Sequence, residues 1–499
     1  HTALPGSVPE DCCRFLSWYW QDGFLVAASP LPAWSPTFRD PVGSDASRCQ
    51  MIDDERSKRD ASTSAVPGGR WSRLARLGTL AGGVAGSMLA EGMRQFVRGK
   101  RPRIGDLLLT PANARRVADQ LAQLRGAAMK FGQLLSMDAG DLLPPELADI
   151  LARLRADAKA MPMSQLASVL DKHWGHGWDR HFRQFSFTPV AAASIGQVHL
   201  AQTKDGRRLA IKVQYPGVRQ SIDSDVDNVA TLLRISGLLP SGLDVGPLLL
   251  EAKRQLHAEA DYLGEGAWLR RYTELLADAP EFMLPEVHAD LTTESVLAMS
   301  CMGGVPVESL RHAPQAERDR VAGLLFRLFF REMFEFQLIQ TDPNFANYRY
   351  DRATGKLILL DFGATRRYRA AIVDAYRRLM ASAVVGDRQG MSVAASAIGY
   401  FRADIGERQR QLVLDVFLLA CEPLRHAGAY DFGNSDLPAR IRDAGLALST
   451  ERDSWHTPPA DALFLHRKAG GLYLLAAKLN ARVDIRALFQ PYASRQAPA

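Results

Sequence analysis

The chain has 499 residues, 47% of them apolar, so it is too long for one ordinary domain and has ample material for a large core. Its 61 Lys and Arg against 55 Asp and Glu leave a net charge of only +6, spread along the chain, which excludes the concentrated basic face of a nucleic-acid binder. The five cysteines, Cys12, Cys13, Cys49, Cys301 and Cys421, have neither metal-ligand spacing nor a disulfide framework, which points to a reducing, intracellular compartment.

Residues 1–68 are rich in Ser, Pro, Asp and Gly, lack a secretory signal pattern and are predicted to be mostly disordered. The chain opens on His1, so a missing or processed start is expected. Between basic flanks (Arg70, Arg73, Arg76; Arg94, Arg98, Lys100, Arg101) lies an apolar segment, residues 71–99, with Gly78, Gly82 and Gly86 at every fourth position. That spacing suits close helix contact in lipid. An ordinary packed helix is the alternative, because the run is short for a span and contains Glu91.

From Pro111 to Met163 the apolar spacing is helical (Leu121, Leu124, Ala128, Leu134, Leu135, then Leu147, Ile150, Leu151, Leu154), and a short helix is predicted next. Gln184 to Tyr215 reads as strands, with Lys204-Asp205-Gly206 turning Val198-His199-Leu200 back into Leu209-Ala210-Ile211-Lys212-Val213. Asp223 to Leu275 is helical again. Short strands return over 283–309, with Cys301-Met302-Gly303-Gly304 as a flexible crossing. Helices then dominate to residue 490, apart from Asp342 to Phe362. A small mixed lobe followed by a larger helical one is the layout of a protein-kinase-like α+β fold, with a nucleotide cleft between the lobes. The boundaries read as an N-terminal tract (1–68), a helical extension (69–165), a small lobe (166–304) and a large lobe (305–499).

The chemistry concentrates in Gln340-Thr341-Asp342-Pro343-Asn344-Phe345-Ala346-Asn347 and Leu359-Leu360-Asp361-Phe362-Gly363. An Asp, an Asn five residues on and a second Asp stand in the order that kinases use on the terminal phosphate of ATP. Asp342 would accept a proton or orient the nucleophile, and Asn347 and Asp361 would give hard oxygen ligands to Mg²⁺. Each fragment alone could be only a turn. Lys212, in Ala210-Ile211-Lys212-Val213, matches the strand lysine that holds the α- and β-phosphates of ATP. Its expected partner is Glu265 on the next helix. At 100° per residue Asp261 would share Glu265's face, while Glu259 would point away toward another partner. Upstream, where a glycine-rich phosphate loop would stand, the chain reads Ala191-Ala192-Ala193-Ser194-Ile195-Gly196, which should alter nucleotide geometry or selectivity. Met302 lies in the crossing whose backbone normally holds adenine.

Lys130-Phe131-Gly132-Gln133, Ala191 to Ser194, Glu259-x-Asp261, Gln340 to Asn344 and Asp361 to Thr365 together resemble the UbiB family of atypical kinases, the aarF-domain kinases. The Gln-Thr-Asp-Pro-Asn wording and His466-Arg467-Lys468 are most similar to the mitochondrial coenzyme Q branch and its bacterial relatives. The resemblance implies N-terminal helices, carrying Lys130 and Gln133, lying over the cleft and meeting Glu259 and Asp261 as a regulatory set. Lys130 and Gln133 are i, i+3 and share a helix face. It implies ATP and Mg²⁺ as cofactors and a role in ubiquinone biosynthesis. The partners implied are membrane lipids, pathway intermediates and biosynthetic proteins, with a homodimer left open. The expected location is peripheral, at the cytoplasmic face of a bacterial inner membrane or at the mitochondrial inner membrane. Departures are the absence of His-Arg-Asp and of Ala-Pro-Glu, which argues against a phosphorylation-controlled activation loop, and Ser300 where the family often has Glu. Two other readings are a small-molecule kinase, with an open acceptor pocket near Asp342, and a nucleotide-binding scaffold without turnover.

Overall fold

The computed structural model describes residues 121, 124, 126–132, 160–235, 245–401, 405–450 and 459–494. The tract 1–68, the glycine-spaced segment 71–99, Gln133 and the helix expected around Leu147 to Leu154 lie outside them.

A short helix, α1 (126–132), precedes α2 (Met163–Trp174) and the strands β1 (Phe182–Phe185), β2 (Ala191–Ala192), β3 (Gly196–Thr203) and β4 (Arg208–Gln214). The expected turn joins β3 to β4, with Gly206 at φ 93°, a conformation that a Cβ would resist. Three helices follow, α3 (Val218–Ile235), α4 (Gly246–Glu259) and α5 (Tyr262–Leu275), then β5 (Phe282–Met283) and β6 (Val296–Ser300). The sheet runs β1-β3-β4-β6, antiparallel, with β2 also on β3.

Alternation along β4 decides where Lys212 goes. Leu209, Ile211 and Val213 are fully buried in one cluster with Leu166 and Leu170 of α2. Burying such a side chain is worth about 1.5–3 kcal/mol, which fixes the register. Ala210 therefore faces the opposite side, in a cluster with Tyr262 of α5, and Lys212 shares that side.

His199 of β3 is fully buried in this sheet and both ring nitrogens are occupied. Nδ1 donates to the Ser186 carbonyl at 2.8 Å, and Nε2 accepts from Gln197 Nε2 at 2.9 Å. Gln197 cannot turn its amide freely, because its Oε1 accepts from Met161 N. Burial pushes the imidazole down to about 4 from its ordinary 6.5. The unfolded chain then binds the extra proton between those values, so this residue's contribution is intact above pH 6.5 and is lost as pH falls toward 4. Unfolding free energy should drop across that window, by at most about 3 kcal/mol from this residue. Denaturant titrations of a His199→Gln variant should show a shallower decline; an identical slope would contradict the assignment.

The large lobe opens with β7 (Val305–Pro306) and α6 (Gln315–Arg331), whose Val321, Leu324, Leu325, Phe326, Leu328, Phe329 and Phe330 are all buried. α6 is thus the central post of the core. It ends in a π-helical turn (Glu332–Phe336), closed by Gln337 in the left-handed region at φ 52°. Next come β8 (Leu338–Gln340), β9 (Tyr348–Asp351), β10 (Lys356–Leu359) and β11 (Thr365–Arg367). β5, β10, β9 and β7 form one sheet, and β8 pairs antiparallel with β11, Gln340 opposite Thr365. This pairing sets the Asp342 and Asp361 loops side by side.

Helices α7 (Ala370–Val385), α8 (Arg388–Ile398), α9 (Glu407–Ala420), α10 (Leu437–Thr450), α11 (Ala460–Lys478) and α12 (Ile485–Ala493) complete the lobe. Among the described residues no helix is long and apolar enough to cross a membrane. The architecture is the expected protein-kinase-like α+β fold of two lobes. One local expectation fails. Asp261 is not on Glu265's helix face; it is the N-cap of α5, its carboxylate accepting from Gly264 N at 3.0 Å.

Candidate functional site between the lobes

Lys212 lies at the inner face of β4, 8% exposed, and its Nζ donates to Glu265 Oε1 at 2.6 Å and to Asp361 Oδ2 at 3.0 Å. Glu265 sits in the first turn of α5, 4% exposed. Burial raises its carboxyl to about 7, against the pull of Lys212. The same burial opposes the charge on Lys212, but Asp361 and Glu265 outweigh it and hold the ammonium above its ordinary range. Burial opposes the charge on the partly buried Asp361, but Lys212, the Gly363 N–H at 2.9 Å and Lys130 outweigh it and keep the carboxyl below its ordinary range. One cation thus joins the two lobes through two carboxylates.

On the large lobe, Asn344 caps a short turn by accepting from Ala346 N, which delivers Asn347 at the foot of β9. Asp342 accepts from Asn347 Nδ2 and from Arg467 Nη2, each at 3.1 Å, one on each carboxylate oxygen. Pro343 behind it leaves no room at Gly471 of α11, where a Cβ would collide with the proline ring. The segment after Asp361 is short: β11 leads into α7 at Ala370, and Arg366 is tied to Glu251 of α4 and Asp461 of α11, both at 2.9 Å. No room exists there for a long activation loop, as the missing Ala-Pro-Glu suggests.

The alanine-rich stretch forms a hairpin. Ala191 and Ala192 pair with Val198 and Gln197, and Ala193 N donates to Gly196 O at 2.8 Å. Ser194, at its tip, donates to Glu259 Oε2 at 2.5 Å, and Glu259 is ion-paired with the buried Lys130 of α1. Leu121, Ala127 and Phe131 pack with Ile195 in the same cluster. Lys130 therefore meets Glu259 as expected, while Asp261 is spent on its helix cap. Met302 lies in the crossing between β6 and β7, half-buried. A small cleft opens beside Asp342, lined by Lys130, Glu259, Thr341, Gly363, Arg366 and Arg467 among others.

Sequence reasoning missed Arg467 on Asp342 and the buried Lys468 beside it. The signal was available: three basic residues, His466 to Lys468, interrupt a helix that buries Ala462, Phe464, Leu465, Leu472 and Leu475. A cation in an apolar stripe needs a partner.

The description "ABC1 atypical kinase-like domain" matches residues 153–395. The chain is 36% identical over 440 residues to atypical kinase COQ8, mitochondrial, of Saccharomyces cerevisiae, covering 88% of this chain and 87% of that protein. It is 37% identical over 458 residues to atypical kinase COQ8B, mitochondrial, of Rattus norvegicus, covering 90% and 85%. Rv3197 of Mycobacterium tuberculosis, solved as a complex with erythromycin, shares the fold at a TM-score of 0.54 and 24% identity, over 73% of this chain and 92% of that one. With a kinase-like enzyme fold and this likeness along nearly its whole length, the chain belongs to the ABC1, or UbiB, family of atypical kinases.

Proposed function

We propose that the protein is a Mg²⁺-ATP-dependent atypical kinase or ATPase that supports ubiquinone biosynthesis as a peripheral protein at a membrane. The observation that carries the reading is Lys212 bridging Glu265 and Asp361, with the Asp361 segment lying beside that of Asp342 and Asn347. Mg²⁺ is a hard cation that takes one or two protein oxygens besides phosphates and water. The donor set fits that demand: Asp361 is held ionised, and Asn347, its nitrogen bonded to Asp342, has Oδ1 as the oxygen for a cation. Bound there, the metal would neutralise charge on the phosphate oxygens.

Lys212 holds the α- and β-phosphates, and Glu265 fixes its ammonium. Asp342 orients or deprotonates the acceptor hydroxyl, or a water, and Asn347 and Arg467 fix its two oxygens. Ala191, Ala192, Ala193 and Ser194 lie over the phosphates, and the Met302 backbone takes adenine. Lys130, Glu259 and, by the motif resemblance, Gln133 form the regulatory set, of which the Lys130, Glu259 and Ser194 contacts tether the loop tip. A helix carrying Lys130 at the rim of the acceptor cleft favours this reading over an open small-molecule kinase site. The mitochondrial names of the relatives and the motif resemblance support the ubiquinone role and its location.

The test is nucleotide binding by an Asp361→Asn variant, measured by calorimetry with Mg²⁺ and with chelator. Mg²⁺-dependent ATP affinity should vanish, leaving the weaker chelator value. Unchanged Mg²⁺-ATP affinity would overturn the metal assignment.

A further inference from the structure

Beneath Asp342 lies a buried polar cluster that none of the roles above uses. Glu332 is 1% exposed and Lys468 2% exposed. Glu332 Oε1 accepts from the Tyr272 hydroxyl at 2.8 Å and from Gln340 N at 3.2 Å. Lys468 Nζ donates to Gln340 Oε1 at 3.0 Å and to the Tyr348 hydroxyl at 2.6 Å, and stands 3.9 Å from Glu332 Oε2. Both ends of Gln340, backbone and side chain, are thus held two residues before Asp342.

Three features set this cluster apart from ordinary core. Glu332 opens the π-helical turn, and the chain then reverses through left-handed Gln337, so an irregular backbone aims the carboxylate at Gln340. Such turns recur at functional sites. Glu332 Oε2 and Gln340 Nε2 are buried without a hydrogen-bond partner, which disfavours the fold. A buried ion pair can often be replaced by apolar side chains of similar volume with little loss of stability. The attraction between the two charges therefore gives little reason to keep the pair.

Geometry does. Tyr272 lies two helical turns after Glu265 on α5, so the two share a face. Its hydroxyl also reaches the Leu338 carbonyl at 3.0 Å, and its ring meets that of Phe362, next to Asp361, at 4.5 Å between centroids. Resting on the kinase reading above, we propose that Glu332, Lys468 and Tyr272 form a polar strut. It sets the Gln340–Asp342 segment in register with the helix that carries Glu265, making all three positioning residues for phosphoryl transfer. The strut links Asp342 to both partners of Lys212 without touching nucleotide.

The test compares the 499-residue wild type with Glu332→Leu/Lys468→Met and with Tyr272→Phe. Replacing both charges together removes the partners of the buried Gln340 Oε1 and Tyr348 hydroxyl, so the thermal midpoint should fall, and the kinetics are read at a temperature where both proteins are fully folded. The kcat for phosphate release from Mg²⁺-ATP should fall about tenfold or more, with KM nearly unchanged, because misplacement near 1 Å can cost 10²-fold. Tyr272→Phe should move kcat in the same direction by less, and it decides the matter should the double variant not fold. Stable variants that turn over at the wild-type rate, or that lose rate only in proportion to the unfolded fraction, overturn the strut alone. A wild type with no turnover would sink the kinase reading and the strut with it.

Discussion

A Lys212→Met variant should lose about 10²–10³-fold in ATP turnover, the usual effect of removing one preorganised charge from a developing anion. It should also be less stable by about 3–5 kcal/mol at neutral pH, because removing one member of a buried ion pair strands the other. Two carboxylates, Glu265 and Asp361, would then face each other without their shared cation. The pH dependence of that loss follows from Glu265. Its folded value, about 7, exceeds the ordinary 4.5, so the folded state binds more protons and stability declines as pH rises through that window. Without the lysine the carboxyl rises further and the decline extends to higher pH. Chemical unfolding at pH 5 and pH 8 should therefore show the variant closest to wild type at the lower pH. Wild-type stability at pH 8 together with wild-type turnover would contradict the assignment.

Asp342→Asn should behave differently, with phosphate release falling about 10²–10⁴-fold while the protein stays folded. The amide keeps the shape but cannot take a proton. Arg467 is only 12% and Asp342 27% exposed on their side chains, and the amide must turn its NH2 toward Arg467 or Asn347, so the variant should also lose about 1–3 kcal/mol of stability. Nucleotide affinity should change little, since in the proposed function Asp342 acts on the acceptor and not on the nucleotide. Steady-state kinetics beside a thermal melt separates these effects. A rate within twofold of wild type would remove Asp342 from the chemistry.

The two variants differ because the site has two kinds of residue, and they differed in how readily the sequence disclosed them. Lys212 was legible from strand alternation and its short motif, because period-2 burial leaves only one face for it. Glu265 followed as its helix partner. Asp261 was misplaced because helix periodicity was extended through a helix start. The Asp-x-x-Gly spacing to Gly264, an N-cap signal, was the better guide. Arg467 and Lys468 reach Asp342 and Gln340 from more than a hundred residues away, and no local rule places α11 against that loop. Glu332 was invisible for a second reason. The π turn shifts the phase of α6 at its end, so a count of 3.6 residues per turn misdirects the side chain. Local pattern thus disclosed the groups carried by a motif, and only tertiary packing showed which distant groups, Arg467, Lys468 and Glu332, hold the Asp342 segment.

The most direct measurement is phosphate release from Mg²⁺-ATP by the 499-residue chain, with and without anionic liposomes, beside the Asp342→Asn variant. Turnover that requires Mg²⁺, rises with liposomes and disappears in the variant is the expected result. Nucleotide binding without turnover in either condition would contradict the account and identify the protein as a nucleotide-binding scaffold.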